Sequence, residues 1–278
     1  MKILAGIVTY NPDVTRLKEN LDAVLEQCEN IVIFDNGSKN NAEIKNLINK
    51  FNARINLIEK KENLGIAEAL KSIMQYAVGN SYSWVLTLDQ DSVVMPNLVD
   101  KYLKCVNIDG VGALTCNIVD RNFKIYENRN SETQDVDFCI TSGCFMSVDA
   151  YKKTCGYDSA MFIDKVDFDI CYSLRDKGFR IIKIDFDGLL HEVGHGKEIC
   201  LFGIKKTVFN HPAWRRYYMA RNAIYLSRKH CCSENRFVAL FRELGRLSIV
   251  VLFEKDKVRK VIKTVQGLMD GFSVKRLT

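Results

Sequence analysis

Two acids, Asp89 and Asp91, stand one residue apart at the end of an apolar run that starts at Trp84. Strand residues alternate between two faces, so both carboxylates share a face if the segment stays extended through Gln90. Paired carboxylates then suit a divalent metal ion. The alternative is a turn in which Asp89 caps the next element or bonds its own backbone. The D-Q-D motif alone is compatible with both.

The elements around this motif alternate between strand and helix patterns. The predicted strands cover residues 3–10, 30–38, 55–60 and 83–91, and the predicted helices cover residues 15–28, 41–51 and 67–78. This order predicts a parallel sheet with helices on both faces. Ligands of such sheets bind beyond the carboxyl ends of the strands, where T-Y-N, D-N-G-S and D-Q-D occur.

The rest of the chain is less regular. Further strands are predicted at residues 111–120, 123–128 and 136–151, and a strand at 183–196 ends in a His- and Gly-rich loop. Residues 162–181 predict a helix with Gly178 as its C-cap and with one apolar face, formed by Val166, Ile170, Cys171 and Leu174. The pattern is helical from Pro212 onward.

The composition bounds the class of protein. The chain has 278 residues, of which 47% are hydrophobic and 27% charged, enough for a large core. No apolar run approaches the ~20 residues that span a bilayer, and the N-terminus favours a first strand over a signal peptide. Ten scattered cysteines indicate reduced thiols in the cytoplasm. A zinc site of Cys200, His191 and His195 matches no familiar ligand spacing.

The charge is divided unevenly along the chain. The net charge is +6, but residues 197–278 carry 18 basic and six acidic side chains, whereas residues 1–196 carry 22 and 28. A basic C-terminal region suits nucleic acid, acidic lipid headgroups or a phosphorylated substrate. One apolar stripe there contains Phe237, Leu240, Phe241, Leu244, Ser248 and Val251. It predicts either a packed helical hairpin or a helix at a membrane interface.

Single motifs remain ambiguous. The absence of G-x-G-x-x-G after the first strand argues against a nicotinamide dehydrogenase. D-N-G-S, from Asp35 to Ser38, fits either a ribose-binding acid or a tight turn with Gly37 at a positive φ. N-L-G-I-A, with Gly65 near a helix start, fits either an approach to an anionic ligand or an ordinary helix entry.

The motifs taken in order closely resemble the inverting family-two glycosyltransferases of the GT-A fold. T-Y-N, D-N-G-S, N-L-G-I-A, D-Q-D, T-S-G-C-F, F-I-D-K-V-D-F-D and a later His cover about the first 195 residues. H-P-A-W-R-R-Y-Y-M-A-R-N-A-I-Y-L, at 211–226, resembles the rhamnosyltransferases of bacterial surface-polysaccharide assembly. The resemblance implies a mixed α/β sheet with helices on both faces, a catalytic domain at 1–205 and a basic helical region at 206–278.

The resemblance also implies roles for individual residues. Asp91 and His191 match ligands of a Mg²⁺ or Mn²⁺ ion, and Asp89 matches a residue that holds the ribose or a metal-bound water. Asp167 matches the catalytic acid, although Val166 stands where the family commonly has a second acid. The positions that match donor-binding residues are Thr9, Asn11, Asp35, Asn63 and Gly65.

Several assignments stay open. The roles of Asp164, Asp169 and His195 are unassigned. Tyr218 and Arg221 share a helical face that either contacts the diphosphate of the acceptor or belongs to the core.

The sequence thus predicts a cytoplasmic, membrane-associated enzyme that moves L-rhamnose from dTDP-rhamnose onto a lipid-linked glycan with inversion. Its expected partners are the donor, this acceptor and an anionic membrane. Nucleic acid is not expected as a partner, and the sequence leaves open whether the protein forms a homo-oligomer. The alternatives are a UDP-sugar donor, a nucleotidyltransferase, or a non-enzymatic module that binds glycans or nucleic acid. The last would need a recognition motif beside its basic residues.

Overall fold

The computed structural model describes residues 1–51, 55–120, 132–191, 197–201 and 204–275, with 197–201 and 204–207 described by their backbone. Contacts divide the chain into two compact units. The first comprises Met1–Ser159 and Asp167–Glu192, and the second comprises Ala160–Val166 and Val193–Thr278.

The first half of the first unit confirms the predicted alternation. Its elements are β1 (Ile3–Thr9), α1 (Val14–Leu25), β2 (Ile31–Asp35), α2 (Asn41–Ile48), β3 (Ile55–Glu59), α3 (Ile66–Gly79) and β4 (Trp84–Asp89). A short 3-10 helix, Asn49–Phe51, follows α2. The predicted strands and helices all form here, with ends that differ by at most three residues.

The second half of this unit departs from prediction at 136–151, and it contains strands at 93–94 and 133–135 and a helix at 98–103 that the sequence did not predict. Its elements are β5 (Val93–Val94), α4 (Leu98–Leu103), β6 (Val111–Asp120), β7 (Thr133–Asp135), β8 (Cys144–Ser147), α5 (Val148–Lys152), α6 (Val166–Asp176) and β9 (Arg180–His191). The prediction of one strand over 136–151 is wrong. Only β8 forms a strand there: a turn with Gly143 at a φ of 78° precedes it, and the Ser147 hydroxyl, which accepts a hydrogen bond from Ala150 N, starts α5 after it. The strand predicted at 123–128 lies outside the described residues.

Among the described residues, nine strands form one mixed sheet. The strand order is β3-β2-β1-β4-β8-β6-β9-β5, and β7 pairs with β9. β1, β2, β3 and β4 run parallel, while β8 is antiparallel to β4 and β6. The first four strands therefore end at one edge of the sheet.

Helices cover both faces of the sheet, as predicted. On one face, α1, α2 and α4 contribute Leu17, Leu21, Ile44, Leu98 and Tyr102 to the buried core, together with strand residues such as Ala5 and Ile7. Gly6 points to the opposite face because strand residues alternate. A Cβ at Gly6 would lie 2.4 Å from Ile73 Cγ2 of α3, so the glycine lets α3 pack closely on that face.

The second unit is mainly helical. An antiparallel hairpin, β10 (Lys197–Leu201) and β11 (Ile204–Val208), precedes α7 (Ala213–Lys229), α8 (Arg236–Phe253) and α9 (Lys257–Gly271). The sequence did not predict the hairpin. The three helices confirm the helical pattern predicted from Pro212 onward. A Cβ at Gly267 of α9 would lie 2.3 Å from Tyr217 O, so this glycine permits the close packing of α7 and α9.

The predicted stripe of α8 is largely exposed in this chain. Phe237 is 73% exposed and Phe241 is 68% exposed, and Leu244 and Val251 are exposed as well. The helix instead buries Ala239, Glu243 and Val250. Among the described residues, we find no helix with both the length and the apolar character needed to cross a membrane.

Candidate active site

The sheet register brings the ends of three strands together. Thr9 at the end of β1 pairs with Asp35 at the end of β2, and Val8 pairs with Asp89 at the end of β4. The prediction that T-Y-N, D-N-G-S and D-Q-D follow strands ending at one edge is therefore confirmed.

Asp35 is fully buried and organises the turn after β2. Its carboxylate accepts hydrogen bonds from Thr9 Oγ1 at 2.9 Å, Ser38 N at 3.0 Å and Asn41 Nδ2 at 3.2 Å. Gly37 in this turn has a φ of 78°, as the turn interpretation of D-N-G-S requires. In this structure Thr9 and Asp35 hold the turn, and their contact with a donor stays a prediction.

Asn11 joins the loop after β1 to this turn. Its backbone N–H donates to Ser38 Oγ at 2.8 Å, and its Oδ1 accepts from Lys39 N at 2.8 Å. Asn11 has a φ of 47° and is exposed. The two loops thus form one polar surface at the carboxyl edge of the sheet.

Asn36 anchors the N-L-G-I-A loop to the same turn. Its Oδ1 accepts from Leu64 N at 2.7 Å and its Nδ2 donates to Gly65 O at 3.1 Å. Asn63 Oδ1 accepts from Gly65 N at 2.8 Å, one residue before α3 begins. The loop that contains both predicted donor-side residues is therefore fixed against D-N-G-S.

The D-Q-D motif forms a turn. β4 ends at Asp89, and Gln90 and Asp91 follow in a turn, so the extended geometry considered for the two acids is not formed. Ser142 Oγ accepts from Asp89 N at 3.1 Å, and Asn20 Nδ2 donates to Asp89 O at 2.7 Å. These bonds fix the backbone at Asp89, where the turn that carries Asp91 begins.

His191, the last residue of β9, lies beside this turn. Its Nδ1 is 2.9 Å from Ser92 Oγ and 3.6 Å from Asp91 Oδ1. Ser92 Oγ is in turn 2.7 Å from Ser142 Oγ. A hydrogen bond at Nδ1 fixes the orientation of the ring and leaves Nε2 as the nitrogen for a metal ion.

The acids of the site interact with one another. Burial raises the pKa of Asp89 to about 6; the charge of His191 opposes this rise, and the negative charges of Asp91 and Asp167 add to it. Residues from three separate parts of the chain thus lie near enough to act on the ionisation of Asp89, and the four side chains form one cluster.

Asp91 and His191 fit a divalent ion only if a bound substrate or water completes the coordination of the ion. Among the described residues, no group of three or more His, Cys, Asp or Glu side chains can hold a metal. An ion on Asp91 and His191 therefore needs further oxygen ligands. Mg²⁺ sites commonly take these from water and substrate phosphates.

Asp167 is in the first turn of α6. It is half-buried, and its Oδ1 accepts from Phe168 N at 2.9 Å. Asp169 in the same turn is buried. Asp164 binds Arg215 through both carboxylate oxygens, at 3.0 and 3.2 Å. Of the three acids, Asp167 is the one that contributes to the raised pKa of Asp89.

Arg221 and Tyr218, on α7, contact the chain around residue 161. Arg221 donates to Met161 O at 3.0 Å and also to Ala160 O. Its guanidinium lies 4.7 Å from the centroid of the Tyr218 ring, which stacks on Phe162. Their predicted contact with an acceptor diphosphate stays a prediction. His195 and the side chain of Cys200 lie outside the described residues.

Sequence reasoning missed four supporting residues, namely Asn20, Asn36, Ser92 and Ser142. Asn36 and Ser142 lie inside motifs that carried the resemblance, D-N-G-S and T-S-G-C-F, and this is the signal that pointed to them. Asn20 and Ser92 had no such signal. Their partners lie far away along the chain.

Comparison with known proteins places the chain in a family. The model of the glycosyl transferase family 2 matches residues 5–168. Among curated proteins, the dTDP-rhamnosyl transferase RfbF of Shigella flexneri is 26% identical over 286 residues, covering 97% of this chain and 95% of the relative.

Solved structures share the fold at low identity. TarS 1-349 of S. aureus in complex with UDP-GlcNAc has a TM-score of 0.65 at 13% identity, over 98% of this chain and 81% of TarS 1-349. PcManGT of Pyrobaculum calidifontis, a mannosyltransferase in complex with GDP-Man and Mn²⁺, has a TM-score of 0.61 at 13% identity, over 99% of this chain and 76% of PcManGT. GalNAc-T7 with UDP, GalNAc and Mn²⁺ has a TM-score of 0.64 at 13% identity, over 82% of this chain and 48% of GalNAc-T7.

These neighbours confirm the predicted GT-A fold. Because the family model covers more than half of the chain, the chain belongs to glycosyl transferase family 2 and is a glycosyltransferase.

Proposed function

We propose that this enzyme moves L-rhamnose from dTDP-rhamnose onto a lipid-linked glycan, with inversion, in the assembly of bacterial surface polysaccharide. The observation that carries the proposal is the cluster of Asp89, Asp91, His191 and Asp167. The choice of donor is supported by the likeness to the Shigella dTDP-rhamnosyl transferase along nearly the whole chain. A UDP-sugar is the alternative donor.

Asp91 and His191 would hold a Mg²⁺ or Mn²⁺ ion, which would neutralise charge on the departing nucleoside diphosphate. Mn²⁺ in the structures of PcManGT and GalNAc-T7 supports this use of a metal. Asp89 holds the ribose or a metal-bound water. The half-buried position of both acids, one residue apart in a fixed turn, supports these roles.

The nucleoside of the donor binds along the polar surface formed by the loops after β1 and β2. Asn11 supplies an exposed amide there, while Thr9 and Asp35 hold the turn beneath it. Asn63 and Gly65 lie on the loop fixed by Asn36 and contact the donor from the α3 side.

Asp167 acts as the general base of a single displacement. The acceptor hydroxyl oxygen bonds to the anomeric carbon while the bond from that carbon to the donor phosphate oxygen breaks. The hydroxyl proton passes to the Asp167 carboxylate, and the electron pair leaves with the nucleoside diphosphate. The first turn of α6 favours a negative charge at Asp167, because the N-terminal end of a helix carries a partial positive charge.

The enzyme works on the cytoplasmic face of an anionic membrane. Two observations support this site of action: the exposed apolar side chains of α8, and the balance of 18 basic to six acidic residues in 197–278. α9 adds a second exposed apolar stripe, formed by Val258, Ile262, Val265 and Met269. The alternative occupant of this surface is a second copy of the chain.

Calorimetric titration with dTDP-rhamnose, UDP-GlcNAc and GDP-mannose, each with Mn²⁺ and with chelator, tests the donor and the metal. We expect the tightest binding for dTDP-rhamnose with Mn²⁺. Tighter binding of UDP-GlcNAc would overturn the donor, and equal affinity in chelator would overturn the metal. Transfer onto lipid-linked glycans from the source cells, with the anomeric configuration of the product read by NMR, tests inversion. A product that keeps the configuration of the donor would overturn the single displacement.

A further inference from the structure

The seven residues before Asp167 hold an unusual backbone conformation. Phe162, Asp164 and Lys165 have φ values of 62°, 65° and 66°, in the left-handed region that residues other than glycine rarely adopt. Such residues persist only where the surrounding structure holds them. The segment 160–166 must therefore be held from outside by specific contacts.

Asn222 of α7 provides three of these contacts. It is fully buried, and its Nδ2 lies 2.8 Å from Met161 O, 2.7 Å from Ile163 O and 2.9 Å from Asp164 O. The amide has two hydrogens, so three carbonyl oxygens share two donors. The only acceptor of the amide, Oδ1, receives a hydrogen bond from Arg221 Nε at 3.0 Å.

Three neighbours on α7 hold the remaining parts of the segment. Arg221 donates to Met161 O at 3.0 Å. Arg215 forms a two-point ion pair with Asp164, and the Tyr218 ring stacks on Phe162 with a centroid distance of 4.8 Å. Arg215, Tyr218 and Asn222 are spaced by three and four residues, so they share one helical face.

We propose that Asn222 is a positioning residue for Asp167. Together with Arg215, Tyr218 and Arg221 it forms the α7 clamp, which fixes the backbone of 160–166. α6 begins at Val166, the last residue of the clamped segment, and Asp167 follows it directly. A change in φ at Asp164 or Lys165 would redirect the start of α6 and move the carboxylate.

The proposal rests on Asp167 being the general base, and it gives Arg221 a different task from binding the acceptor diphosphate. Catalysis requires the base within hydrogen-bond reach of the attacking hydroxyl, and a misplacement of about 1 Å can cost about 10²-fold in rate. Loss of the clamp should therefore lower kcat and leave donor and acceptor binding nearly unchanged. Loss of an acceptor contact would raise the acceptor KM instead.

The test combines Asn222→Ala with Asp167→Asn in a double-mutant cycle. We expect Asn222→Ala to lower kcat by roughly 10- to 100-fold, with donor Kd and acceptor KM within about threefold of wild type. If Asn222 acts through Asp167, the double variant should be no slower than Asp167→Asn alone. Losses that multiply in the double variant would mean an independent structural role and would overturn the proposal.

Arg228→Gln is the matched control. Arg228 lies on the same helix and also donates to two backbone carbonyls outside the segment 160–166, namely Gly271 O at 2.8 Å and Val274 O at 3.1 Å. We expect it to keep wild-type kcat. An equal loss of kcat in Arg228→Gln would indicate general weakening of α7 and would also overturn the proposal.

Arg221→Gln keeps the test decisive if Asn222→Ala does not fold. It removes the bonds to Ala160 O, Met161 O and Asn222 Oδ1 but leaves the Asn222 side chain in place, so we expect a smaller loss of kcat with unchanged acceptor KM. A raised acceptor KM with unchanged kcat would overturn the clamp. The two levels of inference remain separable. An active Asp167→Asn variant would refute the general base, whereas an inactive one beside a fully active Asn222→Ala variant would refute the clamp alone.

Discussion

The carboxyl edge of the sheet and the C-terminal helices both bury polar side chains, but they leave opposite chemistry on the surface. At the sheet edge, Asp35 is buried among hydroxyl and amide donors, while Asp89 and Asp91 are half-buried. In the helical unit, the Glu254 carboxylate is buried between Arg216 and Lys260. Apolar side chains such as Phe237 remain outside.

This difference indicates which kind of partner each region is suited to bind. A site for a phosphate-bearing ligand needs polar groups that are held in place and still accessible. A helical unit that pairs its charges inside and exposes apolar stripes is suited to an apolar partner surface. The four predictions that follow test this contrast.

The largest effect is expected at the general base. Asp167→Asn keeps the shape of the side chain but removes its ability to accept a proton, so kcat should fall by roughly 10²- to 10⁴-fold. Donor affinity should stay near wild type. Asp176→Asn, at the exposed end of the same helix, is the control and should keep full activity. Near wild-type turnover of Asp167→Asn would exclude Asp167 as the general base.

The next effect concerns the stability of the helical unit. Glu254→Ala leaves Arg216 and Lys260 buried without their shared carboxylate, so the free energy of unfolding should fall by about 3–5 kcal/mol. Urea denaturation measures it. Lys255→Ala is the control: this side chain is next to Glu254 in the sequence but is exposed, so its loss should change the free energy of unfolding little. Equal stabilities of the two variants would show that the buried charges contribute nothing specific.

A smaller effect, on metal affinity, is expected at Ser92, which contacts the proposed metal ligand His191. Ser92→Ala removes the hydroxyl that lies 2.9 Å from His191 Nδ1, and such outer partners typically contribute about 10- to 100-fold to metal affinity. Mn²⁺ titration in the presence of dTDP measures it, with the exposed Ser83→Ala as control. Unchanged affinity in Ser92→Ala and in His191→Ala would exclude His191 as a ligand.

The smallest effect is expected on membrane binding. Phe237→Ser combined with Phe241→Ser should weaken binding to anionic vesicles by about tenfold, because a side chain partly inserted at an interface contributes only a fraction of the roughly 1.5–3 kcal/mol of a fully buried Phe. Val78→Ser, on α3 of the other unit, is the control. If wild type does not sediment with vesicles but forms a dimer that the double variant loses, the stripes are a surface between two copies.

Local patterns predicted the first seven elements because each is a short segment with its own period and its own turn signals. The same reasoning failed at 136–151. There an apolar run continues past β8 into α5, and a cap at Ser147 ends the strand. It also predicted the apolar stripe of α8 but left open whether anything covers it, because periodicity shows that a face is apolar and does not show what lies against it.

The site divides in the same way. Asp89 and Asp91 stood out as acids at the end of a predicted strand, whereas Asp167 was identified through the resemblance of its motif to the family. The supporting residues did not stand out. Ser92 contacts His191 across 99 positions of the chain, and Asn20 contacts the Asp89 backbone across 69. No local pattern records such a pairing.

The sequence by itself determined the family, the alternating core of the sheet and the order of the acidic motifs, because these depend on residues close together in the chain. Only the tertiary structure decided that D-Q-D is a turn, that Asn222 holds the segment before Asp167, and that the α8 stripe faces outward. Each of these depends on which distant side chains meet. That is set by the packing of whole elements and is absent from any single stretch of sequence.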